Sequence, residues 1–354
     1  MKNNPIQIGD TTVAPGEHQT VDLPLAAMYT HNDVQMTVHV INGKLAGPVM
    51  FICAAIHGDE INGVEIIRRL LKQKQISRLR GTLLAIPIVN VHGFLSNSRY
   101  LPDGRDLNRS FPGSRKGSLA GRIANTFMKQ ILQQSDYGID LHTGARHRGN
   151  LPQIRADLSN DTAKRMADAF GVPVIVDSTI RDGSLREMGE TSGGVPILLY
   201  EAGEALRFDE VSIRAGVKGI LNVMRALGML PRTKARTQAK RAIISTSTSW
   251  VRAPYSGILR TLVPLGAKAV KGSVLGVIGD PLGASEYQVV AEEEGIIIGR
   301  TFLPLVHEGE ALFHLAHYAQ KTDKVFTQVG QFQDTYEPDV AMELPPNPQD
   351  TPIP

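Results

Sequence analysis

The chain has 354 residues, 42% of them hydrophobic and 21% charged, with a formal net charge of +3 at pH 7. That is room for one large globular domain and a smaller one, and the charge is too small to argue for a nucleic-acid partner. A single cysteine, Cys53, excludes a disulfide framework, and no apolar run has the length of a signal-peptide core or a membrane span, so a cytoplasmic protein with no membrane partner is expected.

In chain order, Pro48 to Ile56 (PVMFICAAI) predicts a buried strand, and Val64 to Gln73 has helical spacing. Thr82 to Val89 predicts another buried strand, Leu119 to Gln134 a helix, and Tyr137 to Leu141 a short strand. Val172–Val176 and Pro196–Tyr200 are further short strands, and Glu210–Leu227 is helical again. Strands alternating with helices between about residues 35 and 230 predict a mostly parallel or mixed sheet covered on both faces. Catalytic groups on such sheets gather at the carboxyl ends of strands, which is where His57, Asn90, His142 and Glu201 fall.

Arg232 to Arg241 holds five basic residues and no acidic one, a pattern that predicts a solvated linker. Composition then changes. Residues 242 to 316 are rich in Val, Ile, Leu and Gly, with a weak repeat: Ala253 to Ile258 and a following Gly266 in one half, Ala291 to Ile296 and a following Gly309 in the other. Two hairpin-rich halves predict a small β-sandwich that resembles the barrel-sandwich of biotinyl and lipoyl carrier domains. Those carriers present a lysine between the halves, and Gly279 to Ser285 has none, so a carrier role is excluded. The expected division is a catalytic α/β domain over 1–235, a β-rich domain over 242–320, and a Pro-rich, disordered tail over 337–354.

The chemistry concentrates in two motifs, His57-Gly58-Asp59-Glu60 and Asp140-Leu141-His142-Thr143-Gly144, each at the end of a hydrophobic run. A His, a Glu three positions on and a distant second His make the ligand set of catalytic zinc, which leaves a fourth position for water or substrate. The plainer reading is two unrelated histidines near strand ends. On spacing alone Asp59 competes with Glu60. Arg99 to Arg109 (RYLPDGRDLNR) is a dense cationic loop able to hold carboxylates or an oxyanion, or merely a surface turn with ion pairs. Glu201 follows an apolar strand, as a general base or as a cap, and Arg181 and Arg186 lie just upstream in a Gly/Ser-containing loop.

Together the motifs HGDE, RDLNRSFPG, DLHTG and YEAGE resemble the succinylglutamate desuccinylase/aspartoacylase family, relatives of the zinc carboxypeptidases. The likeness spans residues 35 to 230 and extends more loosely to the β-rich region. It implies a zinc-carboxypeptidase-like three-layer α/β domain with a mixed sheet, and one Zn²⁺ per chain on His57, Glu60 and His142. It further implies Glu201 as general base, Arg99 as the carbonyl-polarising arginine, and Asn108 with Arg109 as the grip on the substrate's α-carboxylate. Arg186 is the counterpart of an arginine that sets side-chain specificity, and Tyr255 and Tyr287 are candidates for a tyrosine completing the pocket. His92 and His147 are expected to be structural. The implied reaction is hydrolysis of a small N-acyl amino acid amide. Two other readings stay open, a zinc carboxypeptidase acting on peptides and a catalytically inactive binding protein. A homo-oligomer also stays open.

Overall fold

In the structure, a computed structural model that describes residues 1–232, 242–318 and 324–337, the chain opens with a ribbon of β1 (Ile6–Ile8) and β2 (Thr11–Val13). A hairpin of β3 (His18–Ala27) and β4 (Asp33–Asn42) follows. Next come β5 (Leu45–Ala54), α1 (Asn62–Leu71), β6 (Arg80–Ile86), α2 (Val91–Leu95) and α3 (Leu119–Gln130). β7 (Tyr137–Gly144), β8 (Arg148–Ala156), α4 (Asp161–Phe170), β9 (Val174–Asp177), α5 (Leu185–Ser192), β10 (Ile197–Glu204) and α6 (Glu210–Ala226) complete the first part. The second part runs through β11 (Ile243–Ser245), β12 (Ser247–Arg252), β13 (Gly257–Thr261), β14 (Lys268–Ala269) and β15 (Val274–Gly279). It continues with β16 (Glu286–Val290), β17 (Gly295–Thr301), β18 (Leu305–Val306), β19 (Ala311–His317) and α7 (Lys324–Tyr336). Nearly all of the basic segment at 232–241 and of the tail at 337–354 lies outside the described residues.

One mixed sheet of 13 strands forms the spine, in the order β12-β19-β17-β8-β10-β7-β5-β6-β4-β3 with β9, β11 and β14 off this path. At its centre β5, β6, β7 and β10 run parallel. Covered on both faces, Met50 to Ala54 has no exposed position and therefore reads as an unbroken apolar run. β3 and β4 lie at one edge and alternate buried with exposed residues, because only one of their faces meets the core. Ile66, Ile67 and Leu70 of α1, Met166 and Phe170 of α4, and Ile213 and Ile220 of α6 pack on one face of the sheet. Ile123 and Phe127 of α3 with Leu185 and Met188 of α5 pack on the other. Three of the helices start at side-chain caps of this kind: Ser118 accepts from the Gly121 amide, Asn160 from Thr162 and Ala163, and Asp209 from Ser212.

Two expected boundaries shift in a way that matters. β7 continues to Gly144 and β10 to Glu204, so His142 and Glu201 stand within strands rather than just beyond them. Arg186, expected in a loop, lies in the first turn of α5. The strands after residue 242 continue the main sheet, since β17 pairs with β8 at Gly299↔Asn150 and β12 and β19 extend it. A second sheet, β16-β15-β13-β18, closes over them around Leu259, Leu275, Ile278, Ile297, Leu312 and Phe313. Leu151, Val174 and Val176 pack with Ile296 and Ile298, which joins the two parts through apolar contact as well as strand pairing. No helix among the described residues is long and apolar enough to cross a membrane.

Candidate active site

The turn from β5 into α1 sets the first two functional side chains. The amides of Val89 and Asn90 donate to the carbonyls of Ala54 and Ala55, which ties the exit of β5 to that of β6. Ala55 has a φ of 51°, a left-handed conformation at the point where the chain leaves the sheet. Gly58 then passes so close to α2 that a Cβ there would come within 2.0 Å of the Gly93 carbonyl carbon. The turn closes with the Glu60 amide on the His57 carbonyl at 3.1 Å. His142 arrives from β7.

These three side chains meet. His57 Nδ1 lies 2.7 Å from Glu60 Oε1, and His142 Nδ1 lies 2.8 Å from Glu60 Oε2. All three residues are buried, and one ligand atom from each falls within 4.8 Å of the others. The outward nitrogens are held as well. His57 Nε2 is 3.2 Å from Asp106 Oδ1, and His142 Nε2 is 2.7 Å from Asp140 Oδ2. The Cys53 thiol donates to the other oxygen of Asp140 at 3.3 Å. Carboxylates on the Nε2 atoms fix the ring orientation and leave both Nδ1 atoms facing Glu60, the arrangement that supports metal-ligating histidines. Two imidazoles and one carboxylate in this geometry fit a zinc-type ion with an open position. Asp59, which spacing alone left open, points away and pairs with Arg146 at 3.5 Å.

Charge is balanced tightly here. Burial works against ionisation of Glu60, but His57 and His142 hold its carboxyl far below the usual range. Burial likewise disfavours the charged imidazoles, and Glu60 beside His57, with Asp140 and Glu60 beside His142, outweighs it and raises both. Arg99 joins the cluster, donating to Glu60 Oε1 at 3.3 Å and to Asp106 Oδ2 at 3.0 Å.

Glu201 stands directly across from His142 in the β7–β10 register. Asn150 Nδ2 donates to its Oε2 at 2.5 Å, and Arg155 Nε lies 3.8 Å from Oε1. Just beyond it the strand bulges, and Gly203 at φ 76° passes where a Cβ would meet Asn62 Nδ2 at 2.4 Å. Asn108 accepts the Leu185 amide through Oδ1 at 2.9 Å and donates its backbone amide to Asp106 Oδ1 at 2.8 Å, and its side-chain Nδ2 makes no hydrogen bond among the described residues. Arg109 is folded back on the Asn108 carbonyl. Arg186 is buried, with its terminal nitrogens on Ser178 Oγ and the carbonyls of Ser178 and Thr179.

All the expected site residues line one cavity of about 440 Å³: the His57, Glu60 and His142 cluster, Glu201, Arg99, Asn108, Arg109 and Arg186. Other residues named from the sequence lie elsewhere. Tyr255 and Tyr287 do not line the cavity; they stack on each other at 3.7 Å, half-exposed. Asn90 is the cap of α2, accepting from the Gly93 amide. His147 sits on an exposed turn and His92 on α2, neither against the cavity. Asp106, Asp140, Arg155, Trp250 and His314 belong to the site and were not singled out from sequence. For the two aspartates a signal was available, one in the DLNR motif and one two positions before His142, on the same strand face.

The catalytic-domain profile described as succinylglutamate desuccinylase/aspartoacylase matches residues 46–227. An N-alpha-acetyl-L-2,4-diaminobutyric acid deacetylase from Halomonas elongata is 24% identical over 285 residues, which cover 77% of this chain and 83% of that protein. The product-bound ectoine utilization protein EutE (DoeB) from Ruegeria pomeroyi is 25% identical with a TM-score of 0.75, covering 89% of this chain and 99% of its own. A succinylglutamate desuccinylase/aspartoacylase from Rhodobacter sphaeroides has the same fold at 23% identity and a TM-score of 0.74, covering 86% of this chain and 96% of its own. With that match extending over more than half its length, the chain belongs to the succinylglutamate desuccinylase/aspartoacylase family.

Proposed function

We propose that the protein is a zinc-dependent hydrolase that cleaves the amide bond of a small N-acyl amino acid. One observation carries the reading: the Glu60 carboxylate lies between two histidine Nδ1 atoms while Glu201 stands on the neighbouring strand in register with His142. The deacetylase relative from Halomonas elongata supports the same reaction class.

His57, Glu60 and His142 would hold one zinc ion, which when bound supplies a Lewis acid and brings the pKa of water toward neutrality. Glu201 takes a proton from the attacking water and delivers it to the amide nitrogen as the C–N bond breaks. Asn150 fixes one oxygen of Glu201, which keeps the carboxylate aimed rather than free to rotate. Arg99 donates to the carbonyl oxygen as negative charge develops on it. The side-chain Nδ2 of Asn108 and the guanidinium of Arg109 hold the α-carboxylate. The products are a carboxylic acid and a free amino acid.

The strands after residue 242 form, in this reading, a small barrel-sandwich-like domain that walls the site and restricts it to small substrates. Trp250 and His314 from that region line the cavity, whose size suits a small molecule rather than a peptide groove. The test is a panel of N-acyl amino acids incubated with the zinc-loaded protein, with free amine as readout. Release of a carboxy-terminal residue from peptides alone would favour a carboxypeptidase, and absence of both zinc and turnover would favour a binding protein.

A further inference from the structure

Asn150 holds one oxygen of Glu201, and the path of its own strand explains how it comes to lie there. Arg148, Asn150 and Arg155 of β8 all line the cavity. Strict alternation would send positions 150 and 155 to opposite faces of the sheet. The pairing with β10 removes the conflict: Gln153 pairs with Glu201 and Asn150 with Gly203, so β8 takes three steps where β10 takes two. The extra residue falls at Leu151-Pro152, and a proline, with no N–H to give to a ladder, suits a bulge.

On the other side of β8, Asn150 pairs with Gly299 of β17, which stands between Asn150 and His314 across the ladder. β17 bulges as well, between Ile297 and Gly299, and Gln153 Nε2 donates to the Ile298 carbonyl at 3.3 Å. Gly299 is not left-handed, so its backbone does not call for glycine. Space does. A Cβ there would lie 2.8 Å from Asn150 Oδ1 and 3.2 Å from His314 Cβ. The first distance is closer than such atoms pack, so the Asn150 amide would have to turn away. Turning breaks its bond to Glu201, and Arg155 Nε, 3.8 Å from the other oxygen, is too far to replace it.

We propose that Gly299 is a positioning residue for Glu201: by carrying no side chain, it leaves Asn150 the place from which its amide holds the carboxylate. The strands after residue 242 thereby aim the base as well as lining the cavity. This rests on the deacylase reading, in which Glu201 is the base.

The experiment uses the full chain with zinc and compares the parent with Gly299→Ala, Asn150→Ala and the double variant. On the best N-acyl amino acid, Gly299→Ala is expected to lower kcat by about 10- to 100-fold, while KM and zinc content stay at the parent's values. Asn150→Ala should lower kcat to a similar extent. The double variant should be no slower than Asn150→Ala alone, because the atom that the new methyl group meets is gone. General overpacking behaves otherwise: it lowers thermal stability, and its effect persists in the double variant. Crystal structures of the parent and Gly299→Ala read the geometry without turnover, and the Asn150 amide should leave Glu201 Oε2 in the variant. A parent that holds this hydrogen bond, loses it in Gly299→Ala and hydrolyses no N-acyl amino acid would reject the deacylase reading and keep the positioning. A kcat in Gly299→Ala equal to the parent's, additive losses in the double variant, or an Asn150 amide still bonded to Glu201 would overturn the proposal. Should Gly299→Ala fail to fold, recovery of folding in the double variant supports it, and failure of both overturns it.

Discussion

Glu201 on β10 and His142 on β7 face each other across a parallel strand pair, in register. Adjacent strands are separated by about 4.8 Å, so the distance between proposed base and proposed ligand is set by backbone pairing and not by a loop. Both strands are flanked in the sheet, β7 by β5 and β10 by β8. A site on such elements holds its geometry without help from bound ligand, and it gives the following predictions their sharpness.

The metal prediction separates ligand from support. His142→Ala should lose bound zinc and activity together, and chelation followed by zinc should remove and restore activity in the unaltered protein. Asp140→Asn leaves the ligand in place but removes the carboxylate on its Nε2, so zinc affinity should fall about 10- to 100-fold in a chelator competition. Full zinc occupancy in His142→Ala would take His142 off the ligand set.

Two arginines of one loop should respond differently. Arg99, within reach of the Glu60 cluster, is assigned to charge that appears only in the transition state, so Arg99→Ala should lower kcat by about 10²- to 10³-fold. Arg109 is proposed to hold a carboxylate that is charged before and during reaction, so Arg109→Ala should chiefly raise KM. Steady-state kinetics on the same substrate checks the contrast, and equal kcat losses would contradict it.

The acid limb of stability has a named contributor far from the cavity. Glu65 of α1 takes Arg68 Nε at 2.5 Å and Arg69 Nε at 2.6 Å, and hydrogen bonds from Arg68 first, against burial and with help from Arg69, hold its carboxyl down to about 2. A folded value below the ordinary one of 4.5 means that its stabilisation is complete above that pH and is lost as pH falls toward 2. Thermal unfolding of Glu65→Gln should thus lie below the parent at pH 6, with the gap closing between pH 4.5 and 2. A gap independent of pH would exclude this ion-pair cluster as its source.

Much of this site was legible because its residues follow local patterns. Pro48 to Ile56 announces a buried strand by composition, and His57, Glu60, His142 and Glu201 are placed by the ends of such runs. The edges were not. The strand expected at Tyr137–Leu141 stops short of His142, while the backbone pairing of β7 with β10 continues three residues further to Gly144. His142 and Thr143 there are buried and line the cavity, so they break the hydrophobic pattern without breaking the strand. β8 was missed for the same reason: Arg148, Asn150 and Arg155 interrupt it, and all three face the cavity. Trp250 and His314 carry no local signal. Only the β12–β19 pairing, Trp250↔His314, brings them together, and only the β17–β8 pairing brings them to the site.

The most direct test of the account is Glu201→Gln, which keeps the shape and the hydrogen bond from Asn150 while removing the base. Zinc content and KM for the best N-acyl amino acid should match the parent, and the turnover number should fall by about 10²- to 10⁴-fold. A turnover number equal to the parent's, with zinc still bound, would contradict the mechanism even if every metal ligand proved correct.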